Sequence, residues 1–168
     1  MVVAVVVAAA LSVPATAATP SDVRAVDSLE RSILVEINAV RRAHGLAAVR
    51  ASTPLARAAD GHSRAMASAG FFSHDSRDGT VFWKRIARSY TSRGYPYWSV
   101  GENLLFSTSD LQGSQAVRMW LNSPPHRKVL LSALWREVGV SAVRASAAPG
   151  DFGGSDVTIV TADFGVRR

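Results

Sequence analysis

Two histidines and a glutamate stand at the edges of separate predicted elements, in a chain with four histidines and no cysteine. His74 closes Gly70-Phe71-Phe72-Ser73-His74, Glu102 lies in Val100-Gly101-Glu102-Asn103-Leu104, and His126 follows Trp120-Leu121-Asn122-Ser123-Pro124-Pro125. Two imidazoles and one carboxylate form a familiar zinc ligand set that leaves a coordination position for water or substrate. The spacing is long and unlike H-E-x-x-H, so the residue types point to a polar or metal-binding centre without naming its ion.

The elements that must position these residues are readable from periodicity. From Trp98 to Phe106 the even positions are Trp98, Val100, Glu102, Leu104 and Phe106, and the odd ones are mostly small or polar. That period of two predicts a strand with Glu102 on its apolar face. A carboxylate buried there costs several kcal/mol, roughly, unless it is paired. Its partner is expected to be a histidine or a bound cation, the alternative being a structural ion pair with an arginine. His74 falls just past a helix stopped by Gly70. His126 follows a Pro-Pro pair that restricts the chain, and a short helical turn is expected after it.

Asp27 followed by Glu30 reads as a capping box opening a helix through Leu29, Ile33, Ile37 and Val40 to Gly45. Thr53 as N-cap with Pro54 behind it opens a second, whose face runs Leu55, Ala58, Ala59, His62, Met66, Ala69. His62 is therefore read as a core histidine, and His44 as a complement to a helix C-terminus. A third helix is expected over Thr80 to Tyr90. A fourth, capped by Ser109 or Asp110, should end at Ser123, since Pro124 disfavours helix in the residue before it. Glu137 to Arg144 and Asp156 to Phe164 read as two antiparallel strands joined by a Pro/Gly/Asp-rich loop. In the last, Val157 and Ile159 oppose Val160, Ala162 and Phe164, as in a strand covered on both faces. Helices early and strands late define an α+β fold rather than a doubly wound nucleotide-binding one.

Serine catalysis is the other chemistry to weigh, with Ser123 or Ser73 as nucleophile, His126 or His74 as base and Asp163 as orienting acid. No G-x-S-x-G elbow supports it, and absent cysteine excludes a thiol nucleophile.

Length and composition allow one domain with a proper core. Val2 to Val13 is almost wholly Val, Ala and Leu, and Ala15-Thr16-Ala17 follows. Residues 1–17 are thus read as a signal peptide and 18–26 as a linker, with the folded domain over 27–168. No Lys or Arg precedes the apolar run, so the natural start is expected a few residues upstream. The mature chain is expected to be secreted or cell-wall associated, monomeric and without an integral membrane span. Its formal charge of +6 is almost all arginine, scattered rather than run together. This suits a solvated surface or an anionic cell-wall polymer, and nucleic acid is not an expected partner.

The ordered strings F-S-H, G-E-N-L, V-x-x-W, S-P-x-H-R, V-G-V and D-F-G, from about Leu29 to Gly165, resemble the CAP superfamily of cysteine-rich secretory, antigen 5 and pathogenesis-related 1 proteins. Within it the resemblance is to the short, cysteine-free bacterial SCP-like branch. It implies a three-layer α-β-α sandwich around a central antiparallel sheet, and a cleft with two His and two Glu. By motif, that cleft holds His74, Glu102 and His126, with Asn103 beside the glutamate. Ser123 stands where relatives carry the second glutamate. In relatives the two histidines hold a divalent cation, usually zinc, which assigns His74 and His126 as metal ligands here. With one carboxylate fewer, the ion is less fully neutralised.

The leading expectation is a non-catalytic binding module whose cleft takes a small or lipid-like ligand, with a divalent cation at the same centre. The alternatives are a metal-dependent hydrolase with Glu102 as general base and a wall-associated structural or adhesion protein.

Overall fold

A computed structural model describes residues 22–168, so the signal-peptide reading of residues 1–17 lies outside the described residues. Ten regular elements follow in the order β1 (Val23–Ala25), α1 (Asp27–Ala43), β2 (Arg50–Ala51), α2 (Thr53–Ala69), α3 (Phe82–Ala87), β3 (Trp98–Ser107), α4 (Gly113–Asn122), α5 (Pro124–Leu130), β4 (Glu137–Ala148) and β5 (Ser155–Arg167). A single 3-10 turn, Gly150–Phe152, lies between the last two strands.

The sheet runs β1-β4-β5-β3, all antiparallel, and the short β2 joins β4 in parallel. Strand β5 is central and buried from Val157 to Val166. Its alternate residues face two helical layers, as its two-sided pattern predicts. Val160, Ala162, Phe164 and Val166 meet Ile33 and Ile37 of α1, Trp120 of α4 and Leu130 of α5. On the other face Val157 and Ile159 meet Met66 and Ala67 of α2. The expected α-β-α sandwich is the fold observed.

Close approach of α2 depends on small residues. An alanine at Gly139 of β4 would put its Cβ 2.0 Å from the Ala56 nitrogen, so only glycine lets that helix lie on the strand. Gly70 ends α2 in the left-handed conformation, φ 66°, where glycine carries no Cβ penalty.

Several boundaries differ from expectation. The N-cap of α1 is Val26, and Glu30 does not close a capping box; its Oε1 accepts the Ala142 amide of β4 at 2.9 Å. Ser52, not Thr53, precedes α2, and Gln112 with Gln115 caps α4 in place of Ser109 or Asp110. Helix α3 is shorter than the apolar pattern suggests. Helix α5 begins at Pro124, so His126 lies within its first turn rather than before it. The stretch read as a linker contains β1, which pairs with β4 through Val23↔Ala145.

Arg41 continues the α1 stripe of Leu29, Ile33 and Ile37 and is fully buried. Its guanidinium donates to the carbonyls of Ala47, Leu130 and Ser132 at 3.0, 2.8 and 2.9 Å, tying α1 to the end of α5.

Candidate functional site

Glu102 sits on the α2/α3 face of β3, its side chain 1% exposed, and both of its oxygens are engaged. His74 Nδ1 donates to Oε1 at 2.7 Å, and Arg85 Nη2, reaching across from α3, donates to Oε2. The histidine and the arginine expected as rival partners are thus both present. Burial alone would raise the Glu102 carboxyl, but the His74 hydrogen bond and the Arg85 charge outweigh it and hold the group below its ordinary value.

A second carboxylate completes the cluster. Glu102 pairs directly with Asp163 in the β3–β5 register, and Asp163 is fully buried with Arg85 Nη1 at 3.8 Å. As a carboxylate it would have no donor on either oxygen among the described residues. Burial, and then the neighbouring Glu102, push its carboxyl well above the ordinary value. Its neutral form is the one this environment favours, and the pair shares its charge unequally, with Glu102 the member favoured as the carboxylate. It does not orient a histidine, so the serine triad considered above is not assembled. Ser73 also serves locally: its hydroxyl accepts the Asp75 amide, and its carbonyl accepts His62 Nε2 at 2.8 Å.

Because Glu102 can only accept, His74 carries its hydrogen on Nδ1 and leaves Nε2 facing outward; the ring is about half exposed. His126 is half-buried on the first turn of α5. Asn103 Nδ2 donates to its carbonyl at 3.0 Å, which gives Asn103 the task of anchoring that turn to β3. Burial, and then the charge of His74, lower the His126 pKa and favour its neutral, metal-competent form. Among the described residues no three His, Asp or Glu side chains converge as a ligand set. Glu102 is saturated by His74 and Arg85 and has no oxygen free for an ion, so any metal would have to be held by the two imidazoles, with Glu102 orienting His74.

Beyond His126 lies a groove of about 290 Å³, walled by Phe72, Leu104, Phe106, Met119 and Trp120, with Ser123 and His126 at its polar end. Phe106 stands edge-on to Phe72 and Phe152 at 4.9 and 5.3 Å. The Trp120 indole donates to the Leu104 carbonyl at 3.0 Å, fixing the α4 tryptophan against β3. Ser123, at the junction of α4 and α5, brings no acid to the centre; its carbonyl accepts the Arg127 amide.

The remaining histidines have structural surroundings. His44 Nδ1 donates to the Val40 carbonyl in the last turn of α1 at 2.8 Å, and His62 is 1% exposed within α2. Arg85 is the member of the cluster that sequence reasoning did not name, and Asp163 enters there only as a possible orienting acid for a histidine, not as the neighbour of Glu102. Asp163 has one usable signal, its odd position in β5 on the same face as Val157 and Ile159.

An α-β-α sandwich with a histidine-glutamate pair beside an apolar groove defines an SCP-type domain. The model of the CAP, cysteine-rich secretory protein, family matches residues 34–164, and the chain belongs to that family. It is 35% identical to the uncharacterized membrane protein YlbC of Bacillus subtilis over 68% of this chain and 32% of that protein. It is 28% identical to the uncharacterized protein YkwD of the same organism over 79% of this chain and 51% of that one. The chain thus spans about a third of the one relative and about half of the other. Among solved structures it resembles an SCP-domain extracellular protein of Bacillus anthracis, with a TM-score of 0.64 at 29% identity over 84% of this chain and 41% of the other. An outer surface protein of Borrelia burgdorferi shares the fold, with a TM-score of 0.66 at 20% identity over 86% and 98% of the two chains. No helix among the described residues is long and apolar enough to cross a membrane.

Proposed function

We propose that this is an exported binding module whose groove takes a lipid-like molecule, apolar chain along Phe106 and Met119, polar head against His126 and Ser123. The observation that carries this reading is the placement of an apolar groove directly against the neutral His126. Phe106 and Met119 are 37% and 45% exposed, large apolar surface held open to solvent where a monomer gains nothing by it. Export is supported by the apolar N-terminal run and by the extracellular and outer-surface descriptions of the structural neighbours. His74 Nε2 and His126 would hold a divalent cation, which when bound supplies a positive charge facing the ligand's head.

Quenching of tryptophan fluorescence by decanoate tests the groove, since Trp120 forms part of its wall. Saturable quenching that weakens at least about tenfold in Met119→Lys, with an unchanged melting temperature, is the expected result. Absence of saturation in the wild-type chain, or equal affinity in Met119→Lys, overturns the reading.

A further inference from the structure

The edge of the sheet opposite β3 is incomplete. Strand β2 pairs with β4 only at Glu137 and Val138, and β1 only from Val143 to Ala145. The last bonds on either side run from the Ser52 amide to the Val138 carbonyl and from the Val26 amide to the Ala142 carbonyl. Even-numbered residues of β4 therefore turn their backbone groups away from β5, and Val140 lies midway with no strand opposite it. No loop backbone or side chain among the described residues bonds its N–H or its C=O. The open stretch between Val138 and Ala142 spans about 14 Å, room for one extended residue of another chain. We propose that this gap binds the N-terminal residue of a short peptide. This does not rest on the reading of the Phe106 groove, with which the gap shares no residue.

The gap is open to a ligand. Val140 is only half-buried, and it lines two adjoining cavities, of about 250 Å³ on the β2 side and about 310 Å³ on the β1 side. Glu30, Thr53 and Ala56 also border both, so the two are halves of one cleft between α1 and α2.

The free N–H and C=O of one strand residue are matched by the C=O and N–H of one residue running antiparallel to it. Glu30 specifies that this residue is a chain terminus. Its Oε1 accepts the Ala142 amide at 2.9 Å, which fixes the carboxylate beside the Val140 carbonyl. Two acceptors side by side call for a donor with several hydrogens, and an ammonium has three where a peptide amide has one. Burial raises the Glu30 carboxyl and the charges of Asp27 and Asp60 add to it, so a cation there is favourable. Arg57 lines the β1 side as well, Arg31 lines the β2 side, and Asp60 is held by Arg64 at 2.9 Å. The site thus offers a local contact at Glu30 rather than an overall excess of charge.

Direction follows from β4. The Val140 N–H lies toward β2 and its C=O toward β1, so an ammonium on the C=O and a carbonyl on the N–H run the peptide antiparallel to β4. Side chains of such a pair share a face. Val140 packs on the α1 side with Leu34 and Val138, both of which line the β2-side cavity. The bound residue is therefore apolar.

Calorimetric titration of the full chain at about pH 6.5, where an α-amine is protonated, tests the assignment with leucyl-glycine, N-acetyl-leucyl-glycine and glycyl-glycine. Leucyl-glycine should bind saturably at one site, and the other two about tenfold or more weakly. Glu30→Gln keeps an oxygen for the Ala142 amide but loses the charge, and should weaken leucyl-glycine about tenfold. Asp110→Asn, at an exposed carboxylate remote from the gap, should leave it unchanged. Amide hydrogen exchange reads the gap itself: in the free chain Val140 should exchange faster than Ser141 and Ala142, and it should slow on saturation with leucyl-glycine. A Val140 amide as protected as those neighbours in the free chain overturns the gap. No saturation up to about 10 mM leucyl-glycine overturns the site. Equal binding of the acetylated peptide overturns the ammonium contact, and equal binding of glycyl-glycine overturns the apolar residue. Equal weakening by Asp110→Asn would mean diffuse attraction and overturns the site too.

Discussion

Glu102 and Asp163 face each other across one register position of the same sheet, yet their replacement by amides should have opposite consequences. In Glu102→Gln the amide group must replace one carboxylate oxygen. Turned toward Arg85 it sets donor against donor; turned toward His74 it is accommodated only if the ring moves its hydrogen from Nδ1 to Nε2, and in either case the negative charge is gone. Arg85, 10% exposed, loses its close counter-ion, and Asp163, 3.8 Å away and fully buried, replaces it only by ionising at its own desolvation cost. Breaking a buried pair from one side costs about 3–5 kcal/mol. Asp163→Asn instead exchanges one neutral group for another of the same shape and should stay within about 1 kcal/mol. Urea unfolding followed by tryptophan fluorescence resolves the two if m is unchanged. The pH profile separates them again. Asp163 has a folded pKa raised above 3.8, so its contribution is full below that value and is lost as pH rises through the folded pKa. Asp163→Asn should remove that loss and flatten the decline of stability with pH. Equal destabilisation by the two amides, or a Glu102→Gln chain as stable as wild type, would refute the assignment of the charge to Glu102.

The remaining predictions concern packing, titration and metal. Gly139→Ala places a Cβ against the α2 backbone, with no flexible side chain to yield, and should cost about 2 kcal/mol or more; an unchanged melting temperature would show that α2 does not lie so close. His62 is depressed by burial and then by Arg85, so its contribution to stability is present above 6.5 and lost as pH falls through the folded value. A ring that titrates at 6.5 by nuclear magnetic resonance would contradict its burial. Zinc should bind by calorimetry with a Kd weaker than about 1 μM, as expected of two imidazoles, and His126→Ala should weaken it about tenfold or more. The same negligible heat from both proteins removes the cation from the reading.

How much of this is legible in the sequence depends on whether the signal is local. Strand parity puts Glu102 on an apolar face, and the same parity in β5 foretells cover on both sides. Those inferences need only a few consecutive residues. Arg85 carries no such mark: it is one arginine in an arginine-rich chain, and it meets Glu102 only because α3 crosses the sheet. The facing of Glu102 and Asp163 is a register between strands far apart in the chain, which periodicity cannot supply. The start of α5 escapes for a different reason. Pro124 does stop α4, but proline is equally at home in a first helical turn, and the same residue opens the next helix and carries His126 into it.

The arginine hidden from periodicity changes what the centre requires. If Glu102 were an unpaired buried carboxylate, a cation would be needed to hold β3 and the His74 loop together, and a chelator would unfold the protein. With Arg85 on one oxygen and His74 on the other, the carboxylate is satisfied by the chain itself. A cation at His74 and His126 then stabilises only by mass action, about 2.7 kcal/mol at a hundredfold excess over its Kd, and the apo fold stands without it. The same guanidinium also faces the second carboxylate, with Nη1 3.8 Å from Asp163, so Arg85 ties α3 to β3 and β5 at one register position.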